Sequence, residues 1–151
     1  MKCTLVPSHF FDENCAGKFL AQVFDIPEGT AVKHVDVPAY DAHLIYEDDK
    51  SDELPAMSEV LRKLPECRDY NKIVCCWQDG ELNLAIAQGS TLLLCNVYPA
   101  SDFTTAEYFV FLAMKQLQLN PEVSTICWTN PLGDEQQMSL YRYFKGVETC
   151  V

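Results

Sequence analysis

Between Lys72 and Leu119 the chain reads KIVCCWQDGELNLAIAQGSTLLLCNVYPASDFTTAEYFVFLAMKQLQL. Ile73 to Trp77 is a continuous apolar run, the pattern of a strand buried on both faces. Asp79-Gly80 is a hairpin signal, and Leu82, Leu84 and Ile86 then alternate with Asn83, Ala85 and Ala87 at the period of a strand. Gln88-Gly89-Ser90 makes a second turn into a third strand, Thr91 to Tyr98, which Pro99 ends. Thr104 and Glu107 have capping-box spacing. The helix predicted from Thr105 to Leu119 is apolar around almost its whole circumference, which calls for burial between layers. Few architectures accept a three-stranded meander that feeds directly into such a helix.

The rest of the chain extends this unit. Asn120-Pro121 stops the helix, and Ser124 to Thr129 forms a fourth strand. Asp134 and Gln137 cap a last helix with Met138, Leu140, Tyr141 and Phe144 inward; Gly146 ends it, and Val147 to Val151 is a final strand. The second half is therefore β-β-β-α-β-α-β, the mixed-sheet α/β pattern of the ribonuclease-H-like and actin-like folds. Upstream, Lys2 to Pro7 reads as a strand, and Ser8 caps a helix running to Phe24 with Phe11, Cys15, Phe19 and Val23 along its apolar face. Ala31 to Tyr46, split by Pro38, gives one or two strands, the second from Ala42. Pro55 opens a helix with Met57, Val60, Leu61 and Leu64 on its apolar side. This β-α-β-α arrangement, residues 1–70, is a partial first ribonuclease-H-like subdomain, and residues 71–151 are the second.

Composition narrows the function classes. With 22 acidic and 11 basic residues the formal net charge is −11, which repels phosphate backbones and argues against nucleic acid as a partner. No apolar run approaches the roughly 18–20 residues needed to span a bilayer, and MKCTLVPSHFFDEN lacks a signal peptide's apolar segment, so a cytoplasmic location is expected. Glu47, Asp48, Asp49, Asp52 and Glu53 cluster in a segment without the glycine or spacing of a calcium loop, and read as a solvated connection. Among the eight cysteines, Cys75, Cys76, Cys95 and Cys127 lie in apolar strand-like runs and are expected as reduced core thiols. No CxxC occurs, and His9, His34 and His43 show no zinc-ligand spacing, so no metal site is expected.

The strings LVPSHFF, VPAYDAHLIY, DGELNLAIAQGSTLLLCNVYP, TTAEYFVFLAMKQLQLNPE and LYRYFKGVE resemble an uncharacterised bacterial family, a domain of unknown function. That family is assigned an actin-like ATPase fold similar to pilus-assembly and cell-division proteins. The resemblance covers essentially the whole chain, which corresponds to the family's C-terminal three-fifths. It implies either a fragment or a first subdomain without its own opening strands. The open sheet edge this leaves calls for a protein partner or self-association.

The chemistry of such a fold needs an aspartate near the end of the first strand, followed by glycine, so that carboxylate organises Mg²⁺ and bare amides cradle phosphate. Here Cys76 stands at the acid position and Gln78 at the glycine position, while Asp79-Gly80 comes late and suits a hairpin turn. Cys76, Gln78, Asp79 and Gly80 are thus the remnant of a phosphate loop. Asn130-Pro131-Leu132-Gly133-Asp134 carries one glycine where a nucleotide fold has a glycine-rich segment. Metal-dependent nuclease chemistry would need converging carboxylates, and Glu81, Asp102 and Glu107 have turn or capping explanations. No histidine follows Cys67 to serve a cysteine nucleophile. The expectation is a non-catalytic actin-like scaffold or interaction protein with a degenerate nucleotide site and no cofactor. The alternative is an ATP- and Mg²⁺-binding enzyme or switch whose phosphate loop lies in a segment missing from this chain.

Overall fold

A computed structural model describes residues 2–150, which form two compact units divided between Ser58 and Glu59.

In the first unit, β1 (Cys3–Pro7), β2 (Val32–Val37) and β3 (Ala42–Glu47) form an antiparallel sheet in the order β1-β3-β2. The stretch around Pro38 is therefore two strands, parted by a 3-10 turn at Pro38–Tyr40 and by Asp41 in the left-handed region at φ 51°. The helix expected from Ser8 starts later. The Ser8 amide donates to the Asp41 carbonyl at 2.8 Å, and the Phe10 and Phe11 amides turn back onto Pro7 and Ser8. Asp12 is the residue that caps, its carboxylate accepting from the Asn14 amide at 3.0 Å. A 3-10 turn, Glu13–Cys15, then leads into α1 (Ala16–Val23). Ala16 and Leu20 pack on Val6 and Ile45, with Phe11, Phe19, Phe24 and Val32 around them. Val23, expected inward, is exposed.

The boundary between the units falls within α2 (Ala56–Lys63), whose Met57, Val60 and Leu61 are buried as the four-residue spacing predicts, as is Leu64 just beyond it.

The second unit has the expected order of elements. Strands β4 (Asn71–Gln78), β5 (Glu81–Gln88) and β6 (Thr91–Pro99) form the antiparallel meander. Helix α3 (Phe103–Gln116) crosses to β7 (Thr125–Trp128), and α4 (Asp134–Tyr141) to β8 (Gly146–Thr149). Both added strands are parallel to β4, giving the order β6-β5-β4-β7-β8. On one face Ile73, Cys75, Leu82, Leu84, Ile86, Ile126 and Trp128 meet Ala106, Val110, Ala113 and Met114 of α3 and Leu140 of α4. The opposite face carries Val74 and the small Ala85 and Ala87, all fully buried, and a 3-10 turn at Leu64–Glu66 lies against β4 and β5. That double burial is why the β4 sequence is apolar without alternation.

Helix α3 departs from expectation at both ends and around its girth. It begins at Phe103 because Asp102, not Thr104, caps it, accepting from the Thr105 amide at 2.7 Å. Glu107 is free of capping duty and accepts from the Ser139 hydroxyl of α4 at 3.0 Å. Gln118 at φ 58° ends it, and the Leu119 amide reaches back to the Met114 carbonyl at 2.8 Å. Tyr108 is 59% exposed, so α3 buries one face rather than its whole circumference. In α4, Leu140 is buried as expected, as is Phe144 beyond it, but Met138 and Tyr141 point to solvent. Gly146 opens β8 instead of ending a helix. A Cβ there would stand 2.9 Å from Thr125 Oγ1 on the paired strand, so the close approach requires glycine.

Among the described residues no helix is long and apolar enough to cross a membrane.

Candidate functional site

The carboxyl end of β4 is where parallel strands, turn and fold type direct attention. Cys76 is 4% exposed, and burial pushes its thiol up, partly opposed by a hydrogen bond with Thr129. Gln78 pairs with Glu81 across the hairpin, and Asp79 and Gly80 follow with φ of 53° and 73°. Two successive positive φ values make the two-residue turn that matches strand twist. The pair is there for backbone geometry.

Several backbone groups next to this turn are bonded within the protein. The Trp77 amide donates to Asn130 Oδ1 at 2.8 Å, and its indole N–H to the Ala100 carbonyl at 2.9 Å. The Gly80 carbonyl accepts from the Ala100 amide at 2.8 Å, and the Cys75 carbonyl from the Thr129 amide at 2.9 Å. The Cys76 carbonyl accepts from Asn83 Nδ2 at 3.4 Å, giving a buried asparagine its partner. A phosphate cradle needs convergent unpaired amides, and the Trp77 amide is taken by Asn130. The Asn130–Asp134 segment behaves likewise: the Gly133 amide donates to Gln136 Oε1 at 2.9 Å, which opens α4.

The carboxylates weighed from sequence have structural employment. The Thr105 amide and hydroxyl hold the Asp102 carboxyl below the usual range, as a cap should be. Burial pushes Glu107 up, partly opposed by the Ser139 hydrogen bond. In the acidic connection, Asp48 and Asp49 accept from the Lys50 and Ser51 amides two residues on, at 2.9 and 3.0 Å, and Lys33 pairs with Asp48 at 3.3 Å. These local turns account for the acidity of the loop.

A cleft of ≈ 220 Å³ in the second unit is lined by Lys63, Cys67, Arg68, Thr125, Glu148 and the Cys127–Cys150 pair, among others. Burial pushes the Cys67 thiol up, against the lowering effect of Lys72, whose ammonium donates to the Cys67 and Asp69 carbonyls. A thiol held in its neutral form is a poor nucleophile. Cys127 corrects a sequence expectation: it is joined to Cys150 in a disulfide rather than being a free core thiol. Parallel pairing of β7 with β8 sets Cys127 opposite Glu148, and the Cys150 amide bonds to the Trp128 carbonyl at 2.7 Å, which brings the two sulfurs together.

The histidines also group in a way their spacing does not announce. His9 lies against Phe10, while the His34 and His43 rings meet edge to face at 5.6 Å from diagonal positions of the β2–β3 pair.

These features define a protein with the strand order of an actin-like lobe and a hairpin turn at the end of β4. Comparison with solved structures agrees: the chain superimposes with a TM-score of 0.77 on a crystal structure from Bacteroides thetaiotaomicron described as a protein with actin-like ATPase fold and unknown function. The two are 18% identical over 99% of this chain, which spans 65% of that chain's length. Residues 51–147 match the family described as Protein of unknown function (DUF3822), and the chain belongs to that family. No curated protein matches it.

Proposed function

We propose that this chain is a non-catalytic protein of actin-like fold that acts by binding other proteins. The observation that carries this reading is the carboxyl end of β4, where buried Cys76 stands in place of an acid and Asp79-Gly80 forms a tight hairpin, with the Trp77 amide bonded to Asn130. Titration calorimetry of the chain with Mg²⁺-ATP is expected to show no binding. Micromolar affinity would instead establish the ATP-binding reading.

Strand β6 supports the binding half of the proposal. It ends the five-stranded sheet, runs nine residues and carries Leu92, Leu93, Leu94, Val97 and Tyr98 without one charged side chain. A long, apolar edge is a template for another strand. The register slips by one residue opposite Ile86 and Ala87, leaving Leu93 as the extra residue of a bulge. That bulge limits pairing to the segment beyond Leu94. In light scattering, concentration-dependent dimers are expected, and Val97→Lys is expected to abolish them. A strict monomer at all concentrations would remove β6 as the self-association edge.

A further inference from the structure

We propose that His34, Asp36 and His43 form a binding site for a divalent transition-metal ion of the zinc, nickel or cobalt class. His34 and Asp36 are two apart on β2, and Asp36 is directly opposite His43 on β3, so all three project from one face of the sheet. That face is the one α1 covers, and Glu13 sits in the turn just before α1. One ligand atom from each of His34, Asp36 and His43 lies within 4.8 Å of the others. Glu13 Oε1 is 3.9 Å from His34 Nε2.

His43 Nδ1 and Asp36 Oδ1 are already paired at 2.8 Å, the two donor atoms set side by side. Two further observations favour coordination over a simple polar cluster. His34 Nδ1 is buried without a hydrogen-bond partner, and buried polar atoms are ordinarily satisfied. Phe11 stacks on the His43 ring at 4.1 Å and 18°, and lies 4.8 Å from the His34 ring, holding both imidazoles from an apolar side.

The donor set suits the ion. Two imidazoles with one carboxylate, and water in the fourth position, are borderline ligands of the kind zinc, cobalt and nickel accept. With metal–ligand bonds of about 2.0–2.2 Å, neighbouring donors stand roughly 3.3 Å apart, against at most 4.8 Å among these three groups. The ion would tie the edge strand β2 to β3.

The test is titration of the chelator-stripped full chain with Co²⁺ and Zn²⁺, followed by calorimetry and the cobalt absorption spectrum. The expected result is one saturable site per chain, with a cobalt spectrum free of the near-ultraviolet band that thiolate ligation gives. His43→Gln and Asp36→Asn are each expected to weaken binding at least about tenfold, and His9→Gln to leave it unchanged. Asp36 is largely exposed, so Asp36→Asn decides the matter even if a histidine variant misfolds. Absence of a saturable site, a thiolate band, or equal affinity for the chain and Asp36→Asn would each overturn the proposal.

Discussion

Trp128→Ala is expected to lower the stability of the second unit by about 3–5 kcal/mol, the range for removing a large aromatic side chain from a core. Trp128 is fully buried on β7, between the paired strands β4 and β8, and its ring packs 5.5 Å from that of Phe103 at the start of α3. Its loss opens a cavity against the sheet and the helix together. Domains are stable by only about 5–15 kcal/mol, so the urea midpoint should fall by a large fraction. Circular dichroism is the readout, since one of only two tryptophans is removed. Trp128→Phe should cost much less. The indole Nε1 is buried with no hydrogen-bond partner, and deleting that N–H relieves a penalty of about 1–3 kcal/mol while the ring is kept. A phenylalanine variant as unstable as the alanine variant would refute this account of the site.

Opening the Cys127–Cys150 disulfide is the second large effect, expected at about 3 kcal/mol from the loop of 23 residues it closes. The bond tethers the end of β8, a four-residue edge strand, to β7. Cys150→Ser should reproduce the loss in denaturant titrations and leave the slope larger, as the unfolded chain gains freedom. A thiol count on the denatured chain makes the check independent. Of the eight cysteines, Cys127 and Cys150 form this disulfide. Six should titrate without reductant and eight with it; eight in both would show the bond absent.

How far the sequence reveals this molecule depends on the range of the interactions concerned. The meander was legible because each of its signals is local. Asp79-Gly80 sets its own φ values, and the alternation of β5 sits within eight residues. Helix caps were legible only in kind. Ser8, Asp12, Asp102 and Thr104 are all competent capping residues; Asp12 caps rather than Ser8, whose amide is drawn to Asp41, and Asp102 caps by accepting from the Thr105 amide. The inward assignment of Met138 failed because a period alone does not reveal how much of a short helix its neighbours cover.

Features made by pairing between strands were illegible. Cys127 and Cys150 are brought together by the parallel register of β7 and β8. His34 and His43 are nine residues apart in no recognisable ligand spacing, and only the antiparallel register of β2 with β3 puts Asp36 opposite His43. At the β4–β5 turn the sequence reading was closer. It identified Cys76 and Gln78 as unsuited to phosphate but had no means of seeing Asn130 bonded to Trp77.

That last bond bears on how the chain assembles. Trp77 and Asn130 are separated by 53 residues, and the β4–β7 pairing closes a loop of similar length. Closing it costs roughly 3–4 kcal/mol of chain entropy before any contact repays it. The meander, by contrast, is closed by two short turns, and α3 follows it directly. During synthesis β4, β5, β6 and α3 can therefore gather while β7 is still unmade. The growing domain waits with one side of β4 open, and β7 and β8 complete it from the carboxyl end.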